Sequence, residues 1–106
     1  MRGIVLLVPA AALSEAWQQI RRHGPGRVEQ MRDLLASPMV LIEALDDAEA
    51  ARAGELVGGR DLDPDVVAAQ VVTCARTRDW PVLAAAPVRL LVIDPELTVE
   101  TLPGMP

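Results

Sequence analysis

Short apolar runs alternate with longer stretches of helical periodicity along this chain. Residues 3–8, GIVLLV, form a continuous apolar run of the kind found in strands buried on both faces. Residues 39–45, MVLIEAL, form a second run, and further strands are predicted over Pro81–Leu83 and Leu97–Leu102. Because helical segments separate these runs, the pattern predicts one α/β domain over residues 1–106, with a parallel sheet of about four strands covered by helices.

The polar positions and the turn residues predict where the helices begin and end. Pro9 suits the first turn of a helix, and HGPG at residues 23–26 ends that helix. Asp46 followed by Glu49 has the spacing of a capping box. The predicted helices cover about residues 9–22, 27–36, 46–57 and 64–78.

Within these helices, apolar residues that recur at helical spacing mark the faces expected to pack inward. The last helix is also expected to pack against Leu83 of the third strand. The inward positions are Leu13, Trp17 and Ile20 in the first helix, Val28, Met31, Leu34 and Leu35 in the second, and Val67, Val71, Cys74 and Ala75 in the fourth.

The loop after the third strand is unusual because it holds three alanines, Ala84, Ala85 and Ala86. In open α/β sheets, the chemistry usually lies in the loops at the carboxyl ends of the strands. Alanine side chains neither bind, donate nor accept there. Beyond the loop, Leu90–Ile93 fits either a strand or a short helix, since four residues are too few for periodicity to decide.

The composition narrows the functional classes. Half of the 106 residues are apolar, all ten basic residues are arginine, and the net charge of −5 argues against a free-standing nucleic-acid binder. The single cysteine, Cys74, excludes an internal disulfide and a cysteine metal cluster, which suits the cytoplasm. No apolar run is long enough to span a bilayer, so no membrane association is expected.

Carboxylates are the remaining candidates for chemistry. Glu15 lies on the first helix away from its apolar stripe, and Asp61, Asp63 and Asp65 precede the fourth helix. Converging carboxylates can hold Mg²⁺ or Mn²⁺, which prefer oxygen ligands. The same residues are also suited to stabilising the first turns of helices. His23, in the HGPG turn, has no second histidine or cysteine near it in sequence and is expected to be solvated.

Three segments together resemble PIN-domain proteins, and most closely the VapC-like ribonuclease toxins of toxin–antitoxin pairs. VPAAALSEAW at residues 8–17 is similar to a strand ending in Val-Pro and a helix that carries an acid. Residues 31–57 resemble the next helix, strand and helix, and residues 66–103 resemble the C-terminal part of the family. The resemblance implies a PIN-like fold, and it implies a short helix over Pro87–Ile93 before the last strand.

PIN ribonucleases use an acidic cluster to hold divalent metal ions, which activate water for phosphodiester cleavage. The family's first aspartate lies on a central N-terminal strand that we expect this chain to lack. Its second acid falls on Glu15, its third on Ala68 and its fourth on Ala86, while its threonine falls on Ala84. A shifted register would let Asp63 or Asp65 act as the third acid.

Three hypotheses follow from the resemblance. The first is a non-catalytic PIN-like protein without a metal cofactor, which acts through assembly or binding. The second is a weak Mg²⁺- or Mn²⁺-dependent ribonuclease that uses Glu15 with Asp63 or Asp65. The third is a truncated or vestigial reading frame with no selected function.

A sheet without its central strand leaves unpaired backbone groups, and these favour assembly. We therefore expect a homodimer, and an antitoxin-like or other protein partner is the alternative. The expected interface consists of Ile4, Val5, Leu6 and Leu7.

Overall fold

The computed structural model describes residues 5–101, which form a mixed α/β structure. A single 3₁₀ turn, Pro25–Arg27, joins the first two helices. In chain order the elements are β1 (Leu6–Pro9), α1 (Ala10–His23), α2 (Val28–Leu35), β2 (Val40–Glu43), α3 (Asp47–Val57), α4 (Val66–Arg78), β3 (Val82–Ala84), α5 (Val88–Leu91) and β4 (Val99–Thr101).

All four predicted helices and all four predicted strands are present, with their ends shifted by a few residues. The ambiguous segment at residues 90–93 contributes to the short helix α5, as the family resemblance implied, and not to a strand. Gly3 and Ile4 of the first predicted strand and Leu102 of the last lie outside the described residues.

The strands are parallel, but they do not form the single sheet that the sequence predicted. β1 pairs with β2 in one ladder, β3 pairs with β4 in another, and no strand within residues 5–101 joins the two. The ladders begin with Leu6 paired to Val40 and with Val82 paired to Val99. Among the described residues, each strand of three or four residues is therefore paired with a neighbouring strand on one edge only.

Helix α4 lies at the centre of the structure and is buried around most of its circumference, as expected for a helix without a polar face. Ala68 and Val72 are fully buried and contact Leu90 and Ile93, which together form the main core cluster. Residues packed against this cluster come from α3, α4, both strands of the second ladder and the segment between α5 and β4: Leu56, Val57, Val71, Val82, Ala84, Leu97 and Val99.

Some positions predicted to face inward do not. Cys74 and Ala75 are buried as expected, and the half-buried Val71 packs against the core cluster. Val67 is half-buried and is not part of that cluster, because Ala68 and Val72 occupy the side of α4 that meets α5. Leu83 is 52 % exposed, so its predicted contact with α4 is wrong: along β3 it alternates with Val82 and Ala84, which take the core side. Leu34 at the end of α2 is also exposed.

The ends of α3 and α4 are fixed by their capping residues. Asp46 accepts a hydrogen bond of 2.8 Å from the Glu49 N–H, which is the predicted N-cap of α3. The second hydrogen bond of the predicted capping box, from the Asp46 N–H to the Glu49 side chain, is not made, because that side chain is bonded to Arg52 and Cys74 instead. Asp65 caps α4 in the same way, accepting from the Ala68 N–H at 3.0 Å.

In the described part of the chain, no helix combines the length and the apolar character needed to cross a membrane.

Candidate functional site

Two of the candidate carboxylates, Glu15 and Asp65, converge on an arginine. The Arg89 guanidinium bonds to both oxygens of Glu15, with Nη1–Oε1 at 2.8 Å and Nη2–Oε2 at 3.2 Å. It also bonds to both oxygens of Asp65, with Nε–Oδ2 at 2.9 Å and Nη2–Oδ1 at 2.7 Å. All four carboxylate oxygens therefore accept a hydrogen bond from one guanidinium.

The three side chains come from three different helices. Glu15 lies in the second turn of α1, and Asp65 is the N-cap residue of α4. Arg89 lies in the single turn of α5, which begins directly after Pro87 and the alanine loop. Because α1 and α5 both contact the central helix α4, these elements bring together residues far apart in sequence.

The electrostatics of this cluster favour the charged forms of Asp65 and Arg89. The hydrogen bonds from Arg89 lower the pKa of Asp65 below its usual value, although partial burial opposes them. The hydrogen bonds to Asp65 and then to Glu15 raise the pKa of Arg89 in return. Planar bidentate pairing of this kind gives the shortest and most directional ion pairs that arginine forms.

The remaining positions implied by the family resemblance do not join the cluster. Asp63 is exposed, and no ion pair to it is found among residues 5–101. Ala68 is fully buried in the core cluster, so a carboxylate at this position would be surrounded by apolar side chains. Ala86 is exposed in its loop, and Ala84 packs against the core.

Arg89 is the member of the site that sequence reasoning missed. A local signal exists, because Arg89 is a long cation placed three residues after Ala86, where the family pattern has its fourth acid. Nothing in helical or strand periodicity, however, links residue 89 to residues 15 and 65. Only the packing of α1 and α5 on α4 brings them within hydrogen-bond distance.

A second group of polar side chains lies between β2, α3 and α4. One ligand atom each from Glu43, Glu49 and Cys74 lies within 4.8 Å of the others. The Cys74 Sγ donates to the buried Glu49 at 3.2 Å, and each carboxylate also has an arginine partner, Arg78 for Glu43 and Arg52 for Glu49. Burial, and then the hydrogen bond to Glu49, raise the pKa of the Cys74 thiol to about 12.

Two of the expected interface residues, Leu6 and Leu7, belong to strand β1 of the first ladder. Val5 and Leu6 are exposed, Leu7 is half-buried, and Ile4 lies outside the described residues. Comparison with protein-family models, with curated proteins and with solved structures finds no match to this chain. The structure itself defines an ion-pair cluster at Glu15, Asp65 and Arg89, and exposed apolar side chains at Leu6, Leu41 and Ile42 of the first ladder.

Proposed function

We propose that this chain is a degenerate, PIN-like protein that does not cleave RNA and acts in the cytoplasm by binding another protein chain. The observation that carries the proposal is that the Arg89 guanidinium occupies all four oxygens of Glu15 and Asp65. These are two of the carboxylates that a metal-dependent nuclease of this type would need to hold its ion.

The physical reason is competition between two cations for the same oxygens. Mg²⁺ and Mn²⁺ need several oxygen ligands in a nearly octahedral arrangement, and Mg²⁺ gives up its water reluctantly. To bind here, either ion would first have to displace Arg89, and Ala68 and Ala86 add no side-chain oxygen. The arginine thus balances the carboxylate charge without offering a Lewis acid or an activated water.

The split between the two ladders also supports a PIN-like fold. The resemblance places a central strand between the strands that are β1 and β3 here. Within residues 5–101, β1 and β3 are not paired with each other, although both ladders contact elements of the central helical core. A sheet interrupted at this position leaves backbone groups that a protein partner can satisfy.

The first partner that we propose is a second copy of the chain. The interface would include Ile4, Val5, Leu6 and Leu7, and the exposure of Val5 and Leu6 supports this placement. An antitoxin-like protein is the alternative partner. Light scattering at micromolar concentration tests the homodimer, and a monomer mass would remove the second copy from the proposal.

A weak metal-dependent ribonuclease is the second candidate function, because Glu15 and Asp65 do converge. Asp63 stays the alternative to Asp65 in this version; it is exposed, and the ion pairs of Arg89 are made to Glu15 and Asp65. Such an enzyme would have to bind Mg²⁺ or Mn²⁺ after Arg89 has moved away.

Calorimetric titration with Mn²⁺ and a cleavage assay on generic RNA separate these two functions. We expect no Mn²⁺ binding and no cleavage by the natural protein, and measurable Mn²⁺ binding by Arg89→Ala, in which both carboxylates are released. Arg76→Ala is the matched control, because Arg76 forms an exposed ion pair elsewhere, with Asp94. Metal-dependent cleavage by the natural protein that is lost in Glu15→Gln would establish the ribonuclease instead.

A further inference from the structure

We propose that the exposed C-terminal half of helix α1, together with the 3₁₀ turn that follows it, binds an extended acidic segment of a partner protein. The proposal rests on the proposed function for the partner being a protein chain, and it adds the chemistry by which that partner is recognised. This arginine surface consists of Ser14, Trp17, Gln18, Arg21, Arg22 and Arg27.

The three arginines of this surface differ from the other arginines of the chain because no ion pair to them is found among residues 5–101. Arg60 bonds to the Ile93 oxygen, and the remaining arginines each lie within 3.9 Å of a carboxylate: Arg32, Arg52, Arg76, Arg78 and Arg89. The chain has 15 acidic and ten basic residues, so carboxylates are in excess. The arginine surface therefore lies where the fold brings no carboxylate.

The sequence also keeps acidic residues out of this surface. Residues 16–28 contain three arginines and a histidine but no acidic residue, in a chain whose net charge is −5. The acids on either side are engaged elsewhere, because Glu15 is bound to Arg89 and Glu29 to Arg32. The result is a local positive field on an acidic protein, which attracts an acidic ligand.

Two packing contacts position the arginine side chains before a partner binds. Arg21 lies over the ring of Trp17, with 5.7 Å between its guanidinium carbon and the ring centroid, which is a cation–π distance. The stem of Arg27 packs over Gly24, where an added Cβ would lie 3.6 Å from the Arg27 Cδ. Ordering a long side chain on binding costs entropy, so side chains that are already held lose less of it.

The dipole of helix α1 explains only part of this arrangement. Arginines in the last turn of a helix interact favourably with its unpaired carbonyl groups, which accounts for Arg21 and Arg22. Arg27 lies beyond the helix, in the 3₁₀ turn, yet its side chain packs at the same helix end. The dipole also gives no reason for a groove beside Trp17.

The shape of the surface favours an extended chain. An open, shallow groove of about 510 Å³ is lined by Ser14, Trp17, Gln18, Arg21 and Arg22. From Ser14 to Arg22 the helix rises about 12 Å, a distance that about four residues of an extended peptide cover. The guanidinium groups can each bind a carboxylate through two parallel hydrogen bonds. Ser14 and Gln18, which bond to each other at only 3.4 Å, are placed to bond to the peptide backbone.

RNA is also a polyanion, but this surface suits it less well. Proteins that bind single-stranded nucleic acid combine a basic groove with several aromatic side chains on which bases stack. Here the groove offers Trp17 alone, which is half-buried and lies against Arg21. The second aromatic residue of the chain, Trp80, follows α4 and does not line the groove. A protein segment rich in aspartate or glutamate therefore fits the surface better.

Fluorescence anisotropy with a labelled ten-residue peptide of alternating glutamate and serine tests this surface. The matched peptide has glutamine in place of each glutamate. We expect the natural protein to bind the acidic peptide at least tenfold more tightly than the glutamine peptide, and the double variant Arg21→Gln, Arg22→Gln to lose at least tenfold in affinity. The control is the double variant Arg32→Gln, Arg76→Gln, which removes the same charge from two exposed ion pairs and should bind as the natural protein does.

The emission of Trp17 reports whether the peptide binds at the arginine surface. In Trp80→Phe, Trp17 is the only tryptophan, so we expect the acidic peptide to shift its emission. This measurement leaves all the arginines in place, so it holds even if the double variant of Arg21 and Arg22 unfolds. Binding of the peptide without any change in Trp17 emission would overturn the location.

The other outcomes separate this proposal from the proposed function. An equal loss of affinity in the control double variant would overturn the arginine surface. Tighter binding of a ten-nucleotide RNA than of the acidic peptide, lost in Arg21→Gln, Arg22→Gln, would overturn the protein partner. A dimer in light scattering without peptide binding would overturn the arginine surface and leave the proposed function standing. Metal-dependent RNA cleavage would instead overturn the proposed function, whatever the peptide result.

Discussion

The Gln70 side chain donates a hydrogen bond of 3.1 Å from its Nε2 to the backbone oxygen of Glu43, at the end of β2. Its Oε1 accepts from the Ala11 N–H at 2.9 Å, at the start of α1. Gln70 is fully buried, and its amide acts as an extra peptide group between the end of the first ladder and the central helix. One side chain therefore satisfies two backbone groups, the oxygen at the end of β2 and an N–H in the first turn of α1 that has no partner within the helix.

Replacing Gln70 should therefore be costly. In Gln70→Ala, the Glu43 oxygen and the Ala11 N–H both lose their partner, and an unsatisfied buried polar group costs about 1–3 kcal/mol. We expect the free energy of unfolding to fall by about 2–4 kcal/mol in urea denaturation, as two such groups are affected. Gln18→Ala is the control, because Gln18 is exposed and bonds only to Ser14; a similar loss there would contradict the assignment.

Arg89 should contribute to stability as well as excluding cations. Its bidentate bonds to Glu15 and Asp65 have good geometry, but the three side chains are partly exposed and screened by solvent. We expect Arg89→Ala to lower the free energy of unfolding by about 1 kcal/mol and Arg76→Ala, whose ion pair is long and exposed, by less than half of that. Equal effects in urea denaturation would mean that the three-residue cluster adds nothing beyond a surface pair.

The lowered pKa of Asp65 predicts a specific loss of stability in acid. A carboxyl group whose pKa is lower in the folded state stabilises the fold above its unfolded value, near 3.8, and loses this effect as the pH falls toward the folded pKa. Between about pH 5 and pH 3, stability should therefore fall more steeply in the natural protein than in Asp65→Asn. Urea denaturation at a series of pH values measures the difference, and parallel curves would contradict it.

The Cys74 thiol should be inert in the folded protein. Burial raises its pKa from 9.0 to about 12, so at pH 8 almost no thiolate is present, and the thiolate is the reactive form. Iodoacetamide should label Cys74 rapidly in urea and very slowly without it. The raised pKa also implies that stability falls as the pH rises from about 9 toward 12, an effect that Cys74→Ala should lack.

The local parts of the fold were predictable because they depend on neighbouring residues. Asp46 was identified as an N-cap from its spacing to Glu49, and the structure has the hydrogen bond from the Glu49 N–H to Asp46. The division into two ladders was not predictable, since apolar runs such as those at β1 and β3 do not state which strand pairs with which. The predicted contact of Leu83 with α4 was wrong for a related reason: in a strand of three residues, the sequence pattern does not decide which face is covered.

The ion-pair cluster likewise contains residues that the sequence identified and one that it did not. Glu15 and Asp65 were identified because carboxylates placed off an apolar stripe or ahead of a helix stand out in the sequence. Their partner Arg89 was not, because α5 is a single turn whose direction depends on the packing of Leu90 against α4. Whether Glu15 and Asp65 meet a metal ion or an arginine is thus decided by tertiary structure and not by local pattern.

The central position of α4 has a consequence for how the protein opens. The two ladders share no hydrogen bond within residues 5–101, so either one can fray without breaking a bond in the other. Both depend on α4, through Gln70 for the first ladder and through Ala68 and Val72 for the second. The amides of α4 should therefore exchange with deuterium only when the whole chain unfolds, while those of β2 and β4 exchange earlier and independently of one another.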